Sequence, residues 1–184
     1  GGYPTVVMPA RIFYLDKRQG PNETGHTSKF GISLKTICDF SYEKAGFTPE
    51  QQKHIIGVEG ALWGEIILSN IDPKGRFSDY LEYMIFPRLF GVSEVAWCEN
   101  RRSYEEMYAT IKRSFYEKLN VMGATYRLNP PVVEVKEGKL TAKVDAGSKI
   151  YYTDIRTTER RAYTEPLDAS LAPWVAFHSY AGTG

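Results

Sequence analysis

The hydrophobic period of this chain changes once, between Tyr126 and Pro131, and that change sets the architecture open to it. Before it, "FSDYLEYMIFPRLFGVSEVAWC" places Leu81, Ile85, Leu89 and Val92 at steps of three and four, the spacing that gives a helix one apolar face. Asp79 and Glu82 stand at capping-box separation. Pro87 should kink that helix or split it in two, because proline has no N–H to donate. "SYEEMYATIKRSFYEKLNVMG" predicts a second helix, capped by Ser103 with Glu106, striped by Met107, Ile111, Phe115 and Leu119, and ended by Gly123. After the change, "VVEVKEGKLTAKV" reads as two strands about a Glu137-Gly138 turn, and "SKIYYTDI", "RAYTEPL" and "WVAFHSY" continue with strand-type residues. The expected fold class is α/β over residues 1–125 followed by all-β, a small antiparallel domain, over 126–184.

Within the first part, "TVVMP" (Thr5 to Pro9) and "IIGVEG" are short apolar runs that read as buried strands. "FYLDKRQGPNETGHTSKFG" follows the first as a loop rich in Gly, Asn and Thr. "TPEQQKH", a cap residue followed by proline and glutamate, predicts a short helix just ahead of the second strand.

The totals exclude several function classes. A formal net charge of +1 without a dense Lys/Arg run argues against nucleic acid as a partner, which needs a clustered basic face. No apolar run reaches the roughly 18 residues of a membrane span. His26, His54 and His178 are far apart in the chain, and Cys38 and Cys98 show neither CxxC nor disulfide-framework spacing, so no metal site is expected. GxSxG, P-loop and GxGxxG motifs are missing, and no cofactor is expected. The opening "GGYPTVVMPARIFYLD" reads as the interior of a domain, so the lack of a signal peptide there carries no message about export. Thirteen tyrosines against nine phenylalanines supply flat apolar faces with polar tips, which suit sugars, interfaces and antiparallel sheet alike.

Two strand exits carry the chemistry. In "FYLD", Tyr14 and Asp16 follow the first strand; in "LWGE", Trp63 and Glu65 follow the second. In an α/β barrel, ligand contacts sit just beyond the C-terminal ends of parallel strands. An aromatic ring stacks on a sugar face while carboxylate oxygens accept charge-assisted hydrogen bonds from its hydroxyls. The competing structural reading makes Trp63 a core residue and pairs Glu65 with an arginine such as Arg88. Glu94, a lone carboxylate in "GVSEVAW", is read as part of a buried Arg–Glu pair, with Arg88 six residues before it, or as a helix-to-strand tie. Glu59 could face either side of its strand. Glu105 and Glu106 sit at a helix N-terminus, where negative charge favours the dipole.

"GVEGALWGEIIL…YMIFPRLFGVSEVAW" resembles the end of the catalytic barrel of glycoside hydrolase family 20, the β-N-acetylhexosaminidases, and "VVMPARIFYLD" resembles the preceding strand and its loop. The tail "GKLTAKVDAGSKIYYTDIRTTERRAYTEPL" is similar to the small β-sandwich that follows the barrel in many bacterial members, although "YTDIRTTERR" lacks the Asp-Gly turn and proline usual there. The resemblance implies the last two strands and helices of a (β/α)8 TIM barrel, then an accessory β-sandwich. It implies that Tyr14 bonds the carbonyl of the 2-acetamido group, the substrate's own amide, which this family uses as the nucleophile. It implies that Trp63 walls the pocket of the terminal sugar, and that Glu65, helped by Asp16, binds hydroxyls on the far side of the ring. Arg88 and Glu94 fall on patterned positions with a structural role. The implied substrate is a glycan ending in N-acetylglucosamine or N-acetylgalactosamine, and the implied address, following bacterial members, is periplasmic, cell-surface or secreted. The family's Asp-Glu dyad belongs to an earlier strand and has no match here. The chain alone is therefore expected to be inactive and to need the rest of a barrel, or self-association, to cover its strand edges. The alternative is a non-catalytic carbohydrate-binding or scaffold domain.

Overall fold

The computed structural model describes residues 2–20, 23, 25–26, 31–65, 77–145 and 148–181. Much of the loop anticipated between Pro21 and Phe30 lies outside them. The chain divides into two compact units, Gly1–Arg127 and Leu128–Gly184.

In the first unit, β1 (Thr5–Val7) and β2 (Ile55–Val58) pair in parallel, Val6 against Gly57 and Val7 against Val58. Within these 184 residues Val7 is buried, while Val6 is 49% and Ile56 70% exposed. The strands are joined by α1 (Leu34–Cys38) and α2 (Pro49–Gln52). Thr48 and Gln51 form a reciprocal capping box at α2, with Pro49 inside its first turn. Phe13, Leu15, Ile32, Ile37, Phe40, Val92 and Val95 pack into one core with Val7.

Pro87 splits the long helix signal into α3 (Phe77–Ile85) and α4 (Arg88–Trp97). The Asp79–Glu82 box does not form. Asp79 already lies in the first turn, and Glu82 instead accepts a hydrogen bond from the Thr125 N–H at 2.7 Å. Gly91 sits where α4 crosses α1: a Cβ there would lie 2.9 Å from Leu34 Cδ1 and 3.1 Å from Ile37 Cγ2. A mid-helix glycine costs about 1 kcal/mol relative to alanine, so packing explains its presence. Gly91→Val should destabilise the chain by about 2 kcal/mol through overpacking, seen as a lower urea midpoint; an unchanged midpoint would mean that the crossing relaxes freely.

The second helix signal is continuous but not uniform. α5 (Tyr104–Thr110) runs into a π-helical turn (Ile111–Phe115) and then α6 (Tyr116–Met122). The Ser103–Glu106 capping box is present, and Gly123 ends the helix at φ 68°. Met107, Ile111 and Leu119 are buried, and Phe115 is half-buried. The π turn adds a residue per hydrogen-bonded ring and so lets a stripe spaced by fours stay on one face.

Glu94 is buried on α4, but its partner is not Arg88. Arg102 binds it through Nε at 3.0 Å, Nη2 at 2.6 Å and its backbone N–H at 2.8 Å. α4 is thereby tied to the segment that leads into α5.

The second unit holds two antiparallel three-stranded sheets. One has the order β3 (Val132–Lys136), β4 (Lys139–Lys143), β7 (Leu167–Asp168); the other has β6 (Glu159–Ala162), β5 (Ser148–Asp154), β8 (Val175–Ala181). The Glu137-Gly138 turn has φ 51° and 73°, the paired positive values that suit a tight hairpin. A bond from the Ala142 N–H to the Tyr163 hydroxyl at 3.1 Å joins the two sheets. Tyr152 and Tyr163 pack on Phe177. Where the sequence lacks an Asp-Gly turn, Thr158 itself takes φ 58°, an unusual value for a β-branched residue.

Candidate functional site

The segments that follow β1 and β2 come together again beyond the strands. After a turn closed on Pro9 O by the Ile12 and Phe13 N–H groups, Tyr14 forms a parallel bridge with Ala61. The Leu15 N–H donates to Ala61 O at 2.6 Å and the Ala61 N–H to Phe13 O at 2.9 Å. This pairing brings Tyr14 and Trp63, forty-nine positions apart, to a ring separation of 6.0 Å at 50°. Trp63 is 46% exposed, so it is not a core residue. Tyr14 is half-buried, its ring lies 5.6 Å from Lys17 Nζ, and its hydroxyl has no hydrogen-bond partner among the described residues.

Asp16, one residue past Leu15, is 4% exposed, and its Oδ1 has no partner among the described residues. A buried carboxylate oxygen without a hydrogen bond is costly. Glu65 lies in a helical turn that opens at Gly64 and is exposed, with no ion pair or hydrogen bond to the described residues. The structural reading of "LWGE" therefore fails on both counts. Trp63 is not core, and Arg88 does not pair with Glu65. The structure brings Tyr14, Trp63 and the Asp16 backbone to one edge, with Glu65 two residues beyond Trp63. Glu59 follows β2 and is exposed.

Sequence reasoning undervalued one residue here. Arg88 opens α4 and is wholly buried. Its guanidinium donates to the carbonyls of Leu15 and Lys17, on either side of Asp16. A cation at a helix N-terminus, where the dipole disfavours it, was the available signal.

The model of "Glycosyl hydrolase family 20, catalytic domain" matches residues 1–100, more than half of the chain. The chain belongs to glycosyl hydrolase family 20. It is similar to a β-hexosaminidase of Vibrio vulnificus, 29% identical over a 124-position alignment that covers 57% of this chain and 14% of that protein. It is also similar to the solved family 20 β-N-acetylhexosaminidase of Streptomyces coelicolor A3(2): TM-score 0.52, 26% identity, covering 68% of this chain and 24% of that one. The chain thus spans a seventh to a quarter of the length of these relatives. Family 20 catalytic domains contain a TIM barrel, and the matched region holds both strand exits. Among the described residues no helix is long and apolar enough to cross a membrane.

Proposed function

We propose that this chain is the closing part of the catalytic barrel of an exo-acting β-N-acetylhexosaminidase, residues 1–125, with an accessory β-sandwich, residues 126–184. The enzyme removes terminal N-acetylglucosamine or N-acetylgalactosamine by substrate-assisted, retaining chemistry. The observation that carries the reading is the meeting of Tyr14 and Trp63 at the paired exits of two parallel strands, the end at which barrels bind ligands. Trp63 offers an exposed ring to a sugar face. The Tyr14 hydroxyl donates to the acetamido carbonyl and turns that oxygen toward the anomeric carbon. Asp16 and Glu65 accept charge-assisted hydrogen bonds from ring hydroxyls; the unpartnered Oδ1 of Asp16 supports that role.

Cleavage also needs an acid for the leaving oxygen, and the sequence contains no adjacent Asp-Glu pair to supply it. The 184-residue chain should give no turnover of an aryl N-acetyl-β-glucosaminide, while a full-length protein carrying it should turn the substrate over. Hydrolysis by the pure chain would overturn this division of labour. A full-length protein that binds N-acetylglucosamine without cleaving it would favour a non-catalytic carbohydrate-binding domain instead.

A further inference from the structure

Arg88 spends its whole donor set on the backbone. Nε donates to Met84 O at 3.1 Å, Nη1 to Lys17 O and Ile32 O, each at 2.9 Å, and Nη2 to Leu15 O at 2.5 Å and to Met84 O. A guanidinium has five N–H groups, and all five are used. None reaches a carboxylate among the described residues. Buried arginines are ordinarily matched by a carboxylate in direct, forked contact. Burial pushes the Arg88 guanidinium down to about 9, the like charge of Arg127 adds to this, and the negative charge of Asp16 pulls the other way. Asp16 is enclosed between the two clamped carbonyls, and its Oδ1 is unpartnered. Charge compensation and hydrogen bonding are thus separated in this site. A direct Arg–Asp fork would cap the carboxylate, and an incoming hydroxyl would have to displace a charge-assisted bond.

We propose that Arg88 is a positioning residue for substrate: it clamps the backbone on both sides of Asp16 and serves as that carboxylate's buried counter-charge, while its fully committed donors do not compete with a hydroxyl of the terminal sugar for Oδ1. The inference rests on Asp16 contacting the sugar, as in the reading above.

The test uses the full-length enzyme with Arg88→Lys, Asp16→Asn and the double variant, measuring kcat and KM on an aryl N-acetyl-β-glucosaminide together with Tm. Lysine keeps the charge but loses the fork. Arg88→Lys should raise KM tenfold or more with kcat within about threefold, and should add less than about twofold once Asp16 is already Asn. Equal effects of Arg88→Lys on KM in both backgrounds, or a fall in Tm alone, would overturn the proposal and leave Arg88 a structural clip. Asp16→Asn supplies a second readout that does not depend on an Arg88 variant folding. Neutralising a buried carboxylate that lacks a counter-charge raises Tm, whereas removing the partner of Arg88 lowers it. A lowered Tm is expected; an unchanged or raised Tm would sever the link between the two residues. If Asp16→Asn lowers Tm but leaves KM untouched, the contact of Asp16 with the sugar is what fails, and the positioning role falls with it.

Discussion

Tyr14→Phe in the full-length enzyme should lower kcat by roughly 10²- to 10³-fold, the usual cost of removing one hydrogen-bond donor to the oxygen at a reacting centre. The substitution removes only a hydroxyl that has no partner among the described residues. The ring, its contact with Trp63 and its approach to Lys17 are all kept. Stability should therefore stay within about 0.5 kcal/mol of wild type, as for a change that leaves no buried group unsatisfied. The loss should fall on kcat more than on KM, because an acetamide turned onto the anomeric carbon matters most at the transition state. A loss below about fivefold would remove Tyr14 from the reaction and leave it as a packing partner of Trp63.

Glu94→Gln should destabilise the chain by about 2–3 kcal/mol at neutral pH, somewhat below the 3–5 kcal/mol typical of breaking a fully buried pair. The discount reflects Arg102, whose side chain is 39% exposed while that of Glu94 is 5% exposed. The Arg102 guanidinium, its backbone N–H and the Cys98 thiol hold the carboxyl down to about 2, against an ordinary value of 4.5. The folded-state value is depressed, so the pair contributes its full stability above about pH 4.5 and loses it as pH falls toward 2. The difference in unfolding free energy between wild type and Glu94→Gln should accordingly be flat from pH 7 to pH 5 and shrink below that. Urea titrations at pH 7, 5 and 3 measure it. A difference that grows on acidification would show that the Arg102–Glu94 contact is not what stabilises the junction of α4 and α5.

What could be read from the chain and what could not divide along one line. The cap at Thr48, the box at Ser103–Glu106, the stop at Gly123, the split at Pro87 and the turn at Glu137-Gly138 all depend on groups within about four residues of one another. Propensity and spacing carry such features directly. The Asp79–Glu82 box had the same spacing and did not form, because Glu82 finds a backbone N–H forty-three residues away at Thr125. The π turn at Ile111–Phe115 was not read from the sequence, although the strict four-residue spacing of the stripe is consistent with it.

The candidate site divides in the same way. Tyr14, Asp16, Trp63 and Glu65 could be picked out in sequence because each follows an apolar run by a few residues, and their order resembles that of a known family. That Tyr14 meets Trp63, that Asp16 is buried with an open oxygen, and that Glu65 is exposed follow from the pairing of Tyr14 with Ala61. The sequence by itself determined the caps at Thr48 and Ser103, the stop at Gly123 and the hairpin, because those are set by short-range backbone hydrogen bonding, and it placed the aromatic and acidic residues at the two strand exits. Only the tertiary structure decided the electrostatic partners. Arg88 passed over Glu65 and Glu94 for carbonyls up to seventy-three residues away, and Glu94 went to Arg102, because a buried charge bonds with whatever the packed chain places within 3 Å of it.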